Sequence, residues 1–386
     1  MTLIENRPHS HGSAPTGSPA ERFTSADPAD FAVPTGREEE WRFSPVRKLR
    51  ALFQPMDDAG AVTTTVTAPE GVRHRVVPIS DPAVGRVLAP ADRVSAIAYA
   101  SSQQALVVEV LAGQSLSDPI ILSASASGTR SYAHLVIDAG SYSNAVVVVD
   151  YTGSGTLAEN VEILLADGAS LTVISVADWD DDAIHLTAHA AAVGRDATLS
   201  HIVVNTGGSV VRVTPTITFA GPGGRAQLAG VSFAGSGQHF ESRLYVDHAL
   251  PQCTSDVVYK SALVGETART VWIGDVRIRP QAVGTSTYEL NRNLLLSDGA
   301  RADSVPNLEI ETGEIAGAGH ASATGRFDDL QLFYLQSRGI PEQEARRLVV
   351  RGFFAEIIDR IPVPELHDRL MAAIDRRLAA VASEAA

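Results

Sequence analysis

The chain is poor in cysteine, in lysine and in long apolar runs, and each shortage closes off a class of function. Its one cysteine, Cys253, has no partner for an internal disulfide, and no CxxC pair is present to hold a zinc or a complete iron-sulfur cluster. Its two lysines are Lys48 and Lys260, and every other basic residue is arginine, a skew that reads as genome composition. The formal net charge of -14, with no basic run interleaved with aromatics, argues against a nucleic-acid partner. No stretch reaches transmembrane length, and the opening MTLIENRPHSHGSAPTGSPAERF lacks the apolar core of a signal peptide, so no membrane partner and a cytoplasmic location are expected. The phosphate loop GxxxxGK[ST], a GxGxxG turn, GxSxG and HExxH are all missing, so no nucleotide is expected on this chain.

What is present suits a large folded protein: 386 residues, 45% apolar and 20% charged, enough for a sizeable core and an extra module. Residues 1–33, rich in Pro, Ser, Gly and Ala, read as a mobile leader. Residues 34–60 read as a small helical module, because PTGREEEWRFSPVRKLRALF places acidic residues early and basic residues late, with a break at Ser44-Pro45. From 61 to 325 short β-rich runs follow one another, among them ALVVEVL, PIILSAS, NAVVVVDY and SLTVISV. A phrase of small or acidic residue, alanine and strand recurs at Ala169, Ala197, Ala226, Ala268 and Ala300, separated by 28, 29, 42 and 32 residues. Such a loose repeat predicts a mainly β fold, a parallel β-helix before a sandwich or jelly roll, in which each coil buries its face on the next.

Residues 326–386 change to a helical pattern. FDDLQLFYLQSRG closes on Gly339, a second helix runs from PEQEARR through LVVRGFFAEIIDRI, and a third through PELHDRLMAAIDRRLAAV. Val350, Phe354, Ile357 and Ile361 recur at spacings of four, three and four, a face that must pack on something.

Three places hold candidate chemistry. DWDDDAIH, residues 178–185, crowds four aspartates beside His185, with His189 four further on. It reads first as a solvated turn, and less readily as a cation site or the carboxylate pair of a lyase. His248 and Cys253 lie close in sequence and suit either a ligand pair or a hydrogen-bonded histidine beside a structural cysteine, with Asp247 placed to orient the ring. His320 follows Gly317, Ala318 and Gly319 where strand gives way to helix, and reads locally as a cap on the last β coil.

Three phrases together, PTGREEEWRFSP, YELNRNLLLSDGARADSVPNLEI at 288–310 and FDDLQLFYLQSRGIPEQEARRLVVRGFFAEI at 327–357, resemble the SufB/SufD family of the bacterial SUF iron-sulfur assembly scaffold. The likeness runs over roughly residues 34–361, and the first phrase favours the SufD branch. The resemblance implies a right-handed parallel β-helix flanked by N- and C-terminal helical modules. It implies a non-catalytic scaffold subunit that pairs with SufB through the end of the β-helix, or with itself in isolation, and carries the ATPase SufC on its C-terminal helices. Leu332, Phe333, Val350, Phe354, Ile357 and Ile361 are the partner-binding residues so expected. AGHASATG stands where relatives commonly read CSHGATVG, which puts the family histidine on His320 and leaves Ala318 in place of a cysteine. His320 is thereby implicated in holding a nascent iron-sulfur cluster or iron at the SufB interface, with His248 and Cys253 behind it. His248 matches a family histidine, whereas Cys253 sits where relatives often have threonine. A carbohydrate-active β-helix enzyme using the aspartates at 178–182 and a purely structural solenoid are the alternatives.

Overall fold

A computed structural model describes residues 21–56, 59–60, 62–126, 130–327 and 329–384. Two nine-stranded sheets carry the fold. The first runs β1 (Thr63–Thr67), β4 (Ile120–Ala126), β6 (Asn144–Gly153), β8 (Ser170–Ala177), β10 (Thr198–Asn205), β12 (Arg225–Ala234), β14 (Thr254–Leu263), β16 (Ser286–Leu295) and β18 (Gly317–Arg326). The second runs β2 (Val72–Pro78), β3 (Gln104–Val110), β5 (Arg130–Ala139), β7 (Thr156–Leu165), β9 (Ile184–Val193), β11 (Val210–Phe219), β13 (His239–His248), β15 (Arg269–Ile278) and β17 (Arg301–Ile310). From β3 onward the chain alternates between sheets and every pairing is parallel, which makes a β-solenoid of about 8 turns. Antiparallel β1 and β2 cover its first coil. Coil length runs from 26 residues, where Asn144 lies beside Ser170, to 32, where Thr254 lies beside Ser286.

One corner repeats in six successive coils. Tyr142, Gly168, Asp196, Gly223, Gln252 and Gly284 all adopt left-handed backbone, with φ between 53° and 76°. Each is followed by a small buried residue: Ser143, Ala169, Ala197, Gly224, Cys253 and Thr285. The carbonyls of Ser143, Ala169, Ala197, Gly224 and Cys253 each accept a hydrogen bond from the first residue of the strand one coil on. A left-handed residue lets the chain reverse in one step, and only a small side chain fits beneath the stack.

This corner resolves the uneven alanine spacing. Ala169 and Ala197 precede strands of the first sheet, Ala226 lies inside β12 beside Leu199, and Ala268 and Ala300 precede strands of the second sheet. The phrase had merged two corners, and the separation of 42 is the step from one to the other.

Alternation along each strand sends one set of side chains into the lumen. Val173, Val147, Leu199, Leu228, Val213, Ile217, Phe240 and Leu244 form a continuous apolar core there. The outer faces are covered by the helices. α1 (Val46–Leu49) and the 3-10 turn Arg50–Phe53 follow Ser44-Pro45, and the 3-10 turn Glu39–Trp41 precedes it. Trp41, Leu49, Leu52 and Phe53 pack on Tyr132, Ala158, Leu186 and Val210 of the second sheet. α2 (Arg93–Ser101) falls where only strands were expected. Asp92 caps it by accepting from the Ser95 N–H, and Val94, Ile97 and Ala98 join the same cluster.

The expected leader divides. Residues 1–20 lie outside the described residues, whereas 21–33 lie along the solenoid. Arg22 pairs with Asp275 and stacks on Tyr245, and Arg93 donates to the carbonyls of Pro28 and Phe31 at 2.6 and 2.7 Å. Polar composition misled here, because charge-assisted contacts replace apolar burial.

At the other end, α3 (Asp329–Ser337), α4 (Glu342–Ile358) and α5 (Pro364–Glu384) follow β18. Val350, Phe354, Ile357, Ile358 and Ile361 are buried on Ile174, Val176, Val204, Val231 and Phe233 of the first sheet, and Leu366, Leu370 and Ile374 of α5 join them. Lys260 fixes α4 through Glu356 at 2.6 Å and the Phe353 carbonyl at 2.8 Å. Lys48 likewise fixes α1 to the Gly237 carbonyl at 3.0 Å, so both lysines pin helical modules to the solenoid. Among the described residues no helix is long and apolar enough to cross a membrane.

Candidate functional site

His320 lies on β18, the last strand of the first sheet, beside Glu289 of β16. Both occupy the column that faces the lumen, which reads Val147, Val173, His201, Leu228, Val257, Glu289, His320 through successive coils. Among the described residues no further coil covers this end of the lumen. His320 is exposed, and Glu289 one step deeper is fully buried.

The lumen is polar at this end. Asn291 Oδ1 accepts from Ser304 Oγ at 2.7 Å, and Asn293 Nδ2 donates to Thr324 Oγ1 at 3.0 Å, tying the last coil to its neighbours. Glu289 takes no part in this mesh. Both its carboxylate oxygens, the Trp272 indole nitrogen and the Tyr259 hydroxyl are buried without a hydrogen-bond partner among the described residues. Burial, followed by the charge of Asp275, pushes the Glu289 carboxyl up to about 8.

A pH dependence follows. The folded chain holds this proton up to a higher pH than the unfolded chain, so Glu289 withdraws stability as pH rises from about 4.5 towards about 8. The cost approaches about 1.4 kcal/mol per pH unit. Glu289→Gln is expected to melt like wild type near pH 5 and clearly higher at pH 8, and parallel melting curves at both values would refute the assignment.

His248 and Cys253 are near in sequence and differently employed. His248 sits in the lumen stacked on Phe219, ring centroids 4.7 Å apart, with Nε2 2.9 Å from Ser255 Oγ. Burial pushes it down to about 4, against the pull of Asp247. Asp247 does not orient the ring, because it points out of the opposite face and binds Arg279 at 2.7 Å. Cys253 is the small residue of the repeated corner, its Sγ donating weakly to the Pro251 carbonyl at 3.5 Å, and burial raises its thiol. A buried, protonated thiol is a poor ligand.

DWDDDAIH is a turn. Asp178 accepts from Thr206 and Asp182 from Ser154 in the neighbouring coils, and Asp181 accepts from Gln238 two coils on. His185 turns inward to Trp179 and Glu159, and His189 to His201 at 2.8 Å, so the two histidines do not converge on one metal. Among the described residues no group of three or more His, Cys, Asp and Glu side chains is placed to hold a metal ion.

The expected partner-binding residues also divide. Val350, Phe354, Ile357 and Ile361 are occupied by the chain's own sheet and offer nothing to a partner. The spacing marked a face that must pack on something, and its cover is the chain's own first sheet, not the partner that the resemblance implied. Leu332 is buried as well, and Phe333 remains 69% exposed, next to Tyr334 at 57%.

Glu289 was missed by sequence reading. The signal was present in STYELNRN, where Thr287, Glu289, Asn291 and Asn293 alternate with Tyr288, Leu290 and Arg292, but alternation alone does not say which set faces the lumen.

Comparison with known proteins agrees with this architecture. Residues 121–353 match the SUF system FeS cluster assembly SufBD core domain. An iron-sulfur cluster assembly SufBD family protein of Mycobacterium bovis is 53% identical over 367 residues, 93% of this chain and 92% of the relative. A second such protein of the same organism is 30% identical over 203 residues, 53% of this chain and 24% of its own length. The iron-sulfur cluster assembly protein SufD of Bacillus subtilis is 27% identical over 258 residues, 65% of this chain and 58% of the relative. The solenoid, the matched core and the extent of the likeness place the chain in the SufBD family of iron-sulfur cluster assembly proteins.

Proposed function

We propose that the chain is a SufD-type scaffold subunit without covalent chemistry of its own. It pairs with a second SufBD protein, SufB, across the open end of the solenoid and presents His320 there to iron or a nascent cluster. The observation that carries this reading is the terminal coil: among the described residues no strand pairs with the outer edges of β17 and β18, both are half-buried to exposed, and His320 lies on β18 beside the lumen-facing Glu289. An uncovered strand edge invites pairing with another chain. The presence of two SufBD proteins in Mycobacterium bovis that both match this chain supports a partner of the same family.

Iron here is cargo. A neutral imidazole suits iron at a shared interface, and with Ala318 beside it the thiolate ligands come from the partner. The ATPase SufC docks on α3, whose Phe333 and Tyr334 are exposed, while α4 and α5 serve as the rigid mount that transmits its movement to the first sheet.

The test is anaerobic co-expression with SufB and SufC, followed by subunit stoichiometry and iron content. His320→Ala is expected to lower iron while leaving the complex assembled, and Phe333→Asp to reduce retained SufC. Wild-type iron in the His320 variant would assign the metal site to SufB alone.

A further inference from the structure

We infer that Glu289 is a second iron-facing ligand, one coil inside the lumen from His320. The inference rests on the reading of His320 given above.

A buried carboxyl with neither oxygen partnered among the described residues requires an explanation, and an ordered water or a cation supplies one. The surroundings favour the cation. Deeper along its column stand Val257 and Leu228, which offer no charge and no hydrogen bond. The charge that acts on it is that of Asp275, which is negative. His320 is the next residue of the column towards solvent, about 4.8 Å away along the stack, and is the side with access.

The place of the carboxylate is also built. A Cβ on Gly274 of β15 would stand 2.4 Å from Glu289 Oε1 and 2.6 Å from the Trp272 ring, so the missing side chain opens the slot in which the carboxylate sits across the lumen. One carboxylate oxygen and one imidazole nitrogen suit divalent iron, cobalt or manganese better than monovalent copper. Water or a partner's residues complete the shell.

Cobalt(II) is the probe, titrated anaerobically into the full-length chain and followed by its visible absorption. Wild type is expected to take up one cobalt per chain, with Glu289→Gln and His320→Ala each weakening it at least tenfold. Ferrous iron competing for the same signal would extend the result to the cargo. Fold integrity of Glu289→Gln is read separately from its metal-free melting temperature at pH 8, expected to be above that of wild type. Wild-type cobalt affinity in Glu289→Gln, with loss in His320→Ala, would overturn the role of Glu289 and leave that of His320. Loss in Glu289→Gln alone would overturn the pairing, and no binding by wild type would overturn both.

Discussion

Arg212→Leu is expected to destabilise the protein by about 3–5 kcal/mol, because it strips the counter-charge from a buried carboxylate cluster. The Arg212 guanidinium is buried, lies 2.8 Å from Asp92 and 3.2 Å from Glu241, contacts Glu40, and stacks 4.3 Å from the Trp41 ring. These partners belong to the N-terminal module, the cap of α2 and β13, so one side chain on β11 binds three elements. Arg212 and further hydrogen bonds hold the Glu241 carboxyl down to about 2 against its own desolvation. A carboxylate held low contributes stability above its unfolded value of 4.5 and loses it as pH falls towards 2. Without Arg212 that contribution disappears at neutral pH, and the difference from wild type should narrow on acidification as the stranded acids take up protons. Urea unfolding at pH 7 and pH 4.5 measures both. Limited proteolysis of the variant should cut first within residues 34–56. A loss below about 0.5 kcal/mol would show that Trp41 packing, and not the ion cluster, holds the module.

Phe354→Ala should cost a comparable amount, about 3–5 kcal/mol, for a different reason. Its ring is fully buried between α4 and the first sheet, 6.2 Å from Phe233 and 5.2 Å from Phe353. Truncation leaves a cavity at the centre of the seam, between helices and strands that do not collapse together easily. Removing the C-terminal helices should likewise harm the solenoid, since α4 and α5 shield Ile174, Val176, Ile202, Val204 and Val231 from water. Thermal melting with a dye for exposed apolar surface checks it. A drop equivalent to less than about 1 kcal/mol, with no dye binding, would mean that Lys260 on Glu356 and Arg369 of α5 on Asp150 of β6, each at 2.6 Å, hold the helices by themselves.

The kinds of element were legible in the sequence, and their register was not. Runs such as NAVVVVDY could only be strands, and the four, three, four spacing of Val350, Phe354, Ile357 and Ile361 could only be a helix with a buried face. The cover of that face was invisible, because burial pattern records that a stripe is dry and never what dries it. α2 escaped because nine residues with three alanines look alike in strand-rich surroundings, although Asp92 three residues before Ser95 is a proper cap. The site shows the same division. His320 was reached through a family phrase, whereas Glu289 is defined only by which side of β16 faces inward, and a shift of one residue would have put it in solvent.

The repeated corner makes the solenoid a ruler. Each coil advances the chain by one strand spacing whatever the composition of its turns, so the eight strands from β4 to β18 separate their ends by roughly 34 Å at about 4.8 Å a step. A loop lengthened within a coil, as between Thr254 and Ser286, bulges sideways and leaves that span untouched. Only gain or loss of a whole coil would change it, by one fixed increment. Relatives that differ in length by a few residues should therefore keep the same span from first coil to open mouth, and those that differ by about thirty should not.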